Sequence, residues 1–270
     1  MKNLRFPRIK LAQLRTPRFT SVVLAIFFLA ALLSSAPYTM LAPSKAQPVF
    51  PRMLTYQNGS LTHKTDGNFY LLSITLTEPG AYIPGAAFLG GWLKGDVTVI
   101  PKTVLFPKNT DSKKVAAENK KDMKVSQNIA AAVALAYVQK KFPENFLTVK
   151  PQYKDVRYQV HHIGGPSAGL VFSLSLVDLL TREDLLKGRK IAATGTISKG
   201  GFVGIIGGLD EKLISVARAG ATIALVPSDN CRDITRVPKG VQVIPVSTLD
   251  EAVSVLLGEK EARACTNLSA

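Results

Sequence analysis

The sequence predicts an α/β (α+β) domain behind a single N-terminal transmembrane helix. Three observations carry that prediction. Beyond residue 125, stretches of helical and strand periodicity alternate, the pattern of a layered domain whose helices cover a sheet. From Phe19 to Ser44 no residue is charged, and Val22 to Leu33 is apolar without interruption. The 270 residues are 46% hydrophobic and 20% charged, which excludes a disordered chain, a collagen-like repeat and a disulfide-dense miniprotein.

Residues 1–18 read as a basic leader, with Lys2, Arg5, Arg8, Lys10, Arg15 and Arg18 and no acid. The formal charge of +15 belongs partly to this leader, whose six cations leave +9 for the rest, so the basic balance is poor evidence for nucleic acid, and no nucleic-acid partner is expected. Residues 19–42 supply the ~20 apolar residues that a hydrocarbon core of ~30 Å needs. Cations before this segment and none just after it hold the N-terminus inside and export the rest across the cytoplasmic membrane. Two fates stay open, an uncleaved anchor or a cleaved signal peptide, and both give the same side.

Residues 43–65, with Pro43, Pro48 and Pro51, read as a stalk, residues 66–258 as the folded domain and residues 259–270 as a tail. Within the domain, Phe69 to Thr77 alternates as a strand, and the Gly- and Pro-rich residues 78–96 read as loop. Val97 to Ile100 is a short β-branched run. The lysine-rich residues 102–124 read as a solvated face. Val125 to Lys140 is an amphipathic helix with Val125, Ile129, Ala132, Val133, Ala136 and Tyr137 on one face. Strands are expected at Val156–Val160, Lys190–Gly195, Ile223–Val226 and Val241–Val246. Helices are expected at Ser167–Leu180, at Leu209–Ala219 with Gly220 as its stop, and at Leu249–Leu257.

The chemistry begins at Gly165-Pro166-Ser167-Ala168-Gly169, which fits G-x-S-x-G. A hydrolase with that pattern carries its histidine after the serine, yet His63, His161 and His162 all precede Ser167. A serine without histidine takes a lysine of lowered pKa as its base. Lys212 falls in the first turn of an expected helix, where the positive end of the helix dipole and partial burial both disfavour the ammonium. Two bland readings stand beside this one: Ser167 as an N-cap, and Lys212 as a surface lysine next to Asp210 and Glu211. At the same helix start, the N–H groups of Ser167 and Ala168 are available for an oxyanion, Pro166 removes a competing donor, and Gly165 and Gly169 allow a substrate backbone to approach. Cys231 and Cys265 either pair outside a reducing cytoplasm or stay free. No metal site and no cofactor is expected. The Gly200–Gly208 stretch lacks the dinucleotide fingerprint, and no G-x-x-x-x-G-K-[ST] pattern occurs.

Gly165–Gly169, Thr194-Gly195, Ile206-Gly207-Gly208 and Lys212, followed by Ala219-Gly220-Ala221 and Val226-Pro227, resemble the proteolytic domain of Lon-type serine proteases over about residues 125–257. Gly164–Leu170, Leu180–Leu185, Thr194–Ile197 and Val226–Cys231 resemble its membrane-anchored, ATPase-less subgroup of the YlbL type. The resemblance implies the Lon proteolytic fold, a Ser167–Lys212 dyad with Thr194 hydrogen-bonded to the lysine amine, polypeptide substrates and a homo-oligomer. Many members of that subgroup carry a PDZ domain between the leading region and the serine. Here only 26 residues separate Lys140 from Ser167, too few for one. The expected function is an ATP-independent serine endopeptidase acting on unfolded or loosened polypeptides outside the cytoplasmic membrane. The alternative is a catalytically silent scaffold of the same fold.

Overall fold

The computed structural model describes residues 18–107, 110–161 and 163–265; all of the expected leader but Arg18 lies outside them. The first part runs α1 (Arg18–Leu33), β1 (Tyr38–Pro43), β2 (Gln47–Pro48), β3 (Leu54–Tyr56), β4 (Asn68–Leu71), β5 (Ile74–Leu76), α2 (Gly85–Lys94), β6 (Thr98–Pro101) and the single turn α3 (Lys102–Leu105). The second runs α4 (Ser112–Lys141), β7 (Val156–Tyr158), α5 (Gly169–Leu180), β8 (Lys190–Ala193), β9 (Thr196–Ile197), β10 (Val203–Gly204), α6 (Leu209–Arg218), β11 (Ile223–Pro227), β12 (Gln242–Val246) and α7 (Leu249–Leu257).

Side-chain alternation along the strands creates the layers. The central sheet has the order β12-β11-β8-β4-β2, parallel from β12 to β4 and closed by antiparallel β2 at one edge. Phe69, Leu71, Ile191, Ala193, Leu225 and Ile244 face the larger core, which α4, α5 and α7 cover. Ala192, Ala224, Val226 and Val243 face the other side, where Leu209, Leu213 and Val216 of α6 pack. A parallel sheet needs both faces covered, and these helices cover them. Every residue of α5 except Leu179 is buried, which explains why its sequence is apolar on all sides.

Several expectations require correction. The apolar helix stops at Leu33 and does not run to residue 42. Ser34 caps back onto Ala30 and Ala31, Pro37 brings no N–H to continue a helix, and Tyr38–Pro43 becomes β1, antiparallel to β5 and β6. Sixteen residues at ~1.5 Å each span only about 24 Å, and no helix among the described residues is long and apolar enough to cross a membrane. Residues 43–65 are folded rather than a stalk. They carry β2 and β3, and Val49, Met53, Leu54, Tyr56 and Leu61 are buried in the larger core.

The strand expected at 69–77 divides into β4 and β5, which join different sheets. Leu71 and Leu72 are both buried, so the alternation changes phase between them. Residues 85–94, expected as loop, are α2, whose start is held by Gly85 N–H donating to Ser34 O at 3.0 Å. The lysine-rich stretch contains the first half of α4, started by Asp111, whose side chain accepts from Lys113 N. Cys231 and Cys265 are joined as a disulfide across a Cα–Cα distance of 5.2 Å, linking the 3-10 turn Ser228–Asp233 to the C-terminal segment.

Candidate active site

Three chain segments meet at the carboxyl end of β8. Thr194 follows β8, and its N–H donates to Leu225 O of β11 at 3.0 Å, which fixes it against the sheet. Gly195 N–H donates to Ser167 O at 2.9 Å, and Leu170 N–H donates to Gly195 O at 3.1 Å, so the Thr194-Gly195 corner is bonded to the entrance of α5. Thr194 Oγ1 donates to the same Ser167 carbonyl at 3.3 Å. From the other side of the sheet, Lys212 in the first turn of α6 donates its Nζ to Thr194 Oγ1 at 3.2 Å. A side-chain relay thus runs from the Lys212 amine through the Thr194 hydroxyl to the Ser167 backbone.

The setting decides the charge of the amine. Lys212 is only 2% exposed and Thr194 is fully buried. Burial lowers the Lys212 pKa from 10.5 to about 8, because an ammonium out of water loses its hydration. At pH 7.5 about a quarter of such amines are neutral, against about one in a thousand at the ordinary value. The helix start anticipated from sequence is present, and burial of the amine lowers its pKa.

Ser167 lies two residues before α5 begins, not at its first helical position, and is half-buried. Neither its N–H nor that of Ala168 donates to an acceptor among the described residues. The preceding turn is held from α4: Gly165 N–H donates to Asn119 O at 2.8 Å, and Ser126 Oγ donates to Pro166 O at 2.9 Å. Gly165 has a φ of +87° with open space where a side chain would stand. Gly169 differs, because a Cβ there would meet Ile197 N at 2.8 Å. Its missing side chain admits the protein's own β9, not a substrate as the sequence had suggested. Beside the serine, Val125, Ile129, Pro166 and Ile197 form the apolar part of a cavity of about 180 Å³, with Asp122, Ser126 and Thr196 completing its wall.

Residues 94–259 match the family profile of the Lon protease (S16) C-terminal proteolytic domain. The chain belongs to this Lon proteolytic-domain family. Membership supports a serine peptidase as its enzyme class. It is 36% identical to Lon protease 1 of Bacillus subtilis (strain 168) over 145 residues, which are 49% of this chain and 18% of that protein. It is 40% identical to the Lon protease of Neorickettsia sennetsu over 100 residues, 36% of this chain and 12% of that one. It is 42% identical to the Lon protease of Vibrio parahaemolyticus over 97 residues, 34% and 12% respectively. The chain therefore spans less than a fifth of the length of these relatives.

Within this Lon domain, Ser167, Thr194 and Lys212 come together, with Gly165, Pro166 and Ala168 around the serine. The described histidines do not join them. His63 N–H is bonded to Leu179 O at the far end of α5, and His161 is exposed; His162 lies outside the described residues. Among the described residues no group of His, Cys, Asp or Glu side chains is arranged to hold a metal ion. Sequence reasoning missed Asn119, Ser126 and Asn230, which support the site through backbone groups. Only the helical phase of Ser126 with the apolar face of α4 could have drawn attention to one of them.

Proposed function

We propose that the chain is a serine endopeptidase with a Ser167–Lys212 dyad that acts, without an ATPase of its own, on unfolded or loosened polypeptides. The observation that carries the reading is the hydrogen bond of a nearly fully buried Lys212 amine to Thr194, which is itself bonded to Ser167. The neutral amine takes the proton as Ser167 Oγ attacks the scissile carbonyl. The N–H groups of Ser167 and Ala168 receive the developing oxyanion. The ammonium then returns the proton to the leaving amine, and the same amine activates water for deacylation. The cavity lined by Val125, Ile129, Pro166 and Ile197 supports a peptide side chain seated beside the serine.

ATP independence belongs to the proposal through the resemblance of Gly164–Leu170, Leu180–Leu185 and Thr194–Ile197 to the ATPase-less subgroup. Action outside the cytoplasmic membrane rests on the six N-terminal cations and the uncharged stretch from Phe19 to Ser44 that follows them. A ring or other homo-oligomer belongs to the same proposal, by family alone. The test is cleavage of fluorescent casein by the full chain in mild detergent. Ser167→Ala and Lys212→Ala should each lower the rate by more than about a hundredfold. Cleavage undiminished in both variants refutes the dyad.

A further inference from the structure

The turn that delivers Lys212 is built on two adjacent glycines. Ile206 leads into Gly207-Gly208, Gly207 has open space where a side chain would stand, and Gly208 takes a left-handed φ of +65° immediately before α6. Yet the Lys212 amine must arrive within hydrogen-bond reach of Thr194, and Lys212 N–H is itself bonded back to Gly208 O at 3.1 Å. Any slide of the glycine pair moves the amine.

One side chain holds that turn. Asn230 is 2% exposed. Its Oδ1 accepts from Ile206 N at 2.9 Å, and its Nδ2 donates to Ile206 O at 3.0 Å and to Asp233 Oδ2 at 2.7 Å. The carboxamide thus pairs with both backbone groups of Ile206, as a neighbouring strand would. The next residue, Cys231, is tied to Cys265. A few residues on, Thr235 N–H donates to Asp210 Oδ1 at 3.1 Å, so the 230–235 segment grips the entrance of α6 on both sides of the glycines.

We propose that Asn230 is a positioning residue for the reaction: its carboxamide, on a turn fastened by the Cys231–Cys265 bridge, sets where α6 presents Lys212 to Thr194. Asn230 touches neither the serine nor the amine, and acts only through the backbone of Ile206–Gly208. The inference rests on the dyad reading, and its test separates the two.

The titration of the Lys212 amine is followed by NMR in the isotopically labelled full chain, beside kcat and KM for an unstructured peptide. The parent amine should titrate near pH 8. Asn230→Ala should move that midpoint up by about one unit or more, as the amine gains water, and should lower kcat about tenfold with KM little changed. Asp233→Asn keeps an oxygen acceptor for Asn230 Nδ2 and should leave the midpoint where it is in the parent. A folded Asn230→Ala chain with parental midpoint and kcat overturns the proposal, because a purely structural role would lower stability and move neither. If Asn230→Ala does not fold, Asp233→Ala and reduction of the disulfide replace it. An upward shift in either supports the proposal, and none in both overturns it. A parent whose amine titrates near 8 but which cleaves nothing in a Ser167-dependent way sinks the dyad reading, while the effect of Asn230 on the amine is still read from the titration.

Discussion

Replacing Lys212 with Met should make the protein more stable and inactive at once. The methionine keeps an unbranched apolar stem and removes the amine. At 1.36 kcal/mol per unit, lowering the Lys212 pKa from 10.5 to about 8 corresponds to about 3 kcal/mol of penalty for holding the ammonium in the fold. The amine is almost wholly buried, so solvent screening removes little of this. Below pH 8 both the folded and the unfolded chain carry the proton, and the folded state bears the whole penalty. Between about pH 8 and 10.5 the folded chain has released the proton and the unfolded chain has not, so stability rises with pH; above that window the penalty is gone. Lys212→Met also deprives Thr194 Oγ1 of its incoming hydrogen bond, a loss of about 1 kcal/mol. The net gain at pH 7 is about 2 kcal/mol, or a rise in Tm of roughly 4–8 °C for a domain of this size. Calorimetry at pH 7 and pH 10 tests it: the gain should be present at the first and vanish or reverse at the second. A variant that melts at or below the parent at pH 7, or gains equally at both, refutes the claim that a desolvated amine sits there.

Two further outcomes follow from the same geometry. Thr194→Val preserves shape but deletes both the acceptor for Lys212 and the donor to Ser167, so kcat/KM for a fluorogenic peptide should fall by about ten- to a hundredfold; parental activity would show the hydroxyl to be idle. Joint replacement of Cys231 and Cys265 by Ser opens a loop with a sequence separation of 34 and should lower stability by about 3–4 kcal/mol in urea, and an unmoved midpoint would show that the bridge constrains nothing.

The fold was legible where its signals were local. α7 spans Leu249–Leu257 as expected, and its ends are local: Thr248 accepts from Glu251 N–H and Gly258 stops it with a φ of +86°. α6 shows the same logic, with Gly220 at its end. Where partners are distant, the reading failed. β1 draws its hydrogen bonds from β5 and β6, strands more than thirty residues away that local periodicity does not register. α2 contains Gly85, Gly90 and Gly91, residues that report a loop unless something external holds them; here Ala31 backbone passes so close to Gly85 that a Cβ would meet its oxygen. The first half of α4 is mostly polar and exposed, with Met123 its first core residue, so local periodicity there is weak and the helix starts at the Asp111 cap.

The site divides along a different line. Ser167, Thr194 and Lys212 were legible because the proposed chemistry calls for a particular residue type at each position: a hydroxyl to attack, a hydroxyl to relay and an amine to accept a proton. Two hydrogen bonds, from Thr194 to Ser167 and from Lys212 to Thr194, close sequence separations of 27 and 18 residues. The groups that hold these three were not legible, because they act through backbone. Ser126 reaches the carbonyl of Pro166, Asn119 offers its own carbonyl to Gly165, and Asn230 grips Ile206. A serine or an asparagine in such a role looks, in sequence, like any other polar residue. The same division separates the helix start of Lys212 from its burial, which lowers the amine's pKa. The helix start is written in the neighbouring residues, but the low-dielectric surroundings are assembled from α6 and a sheet strand that come together only in the folded chain.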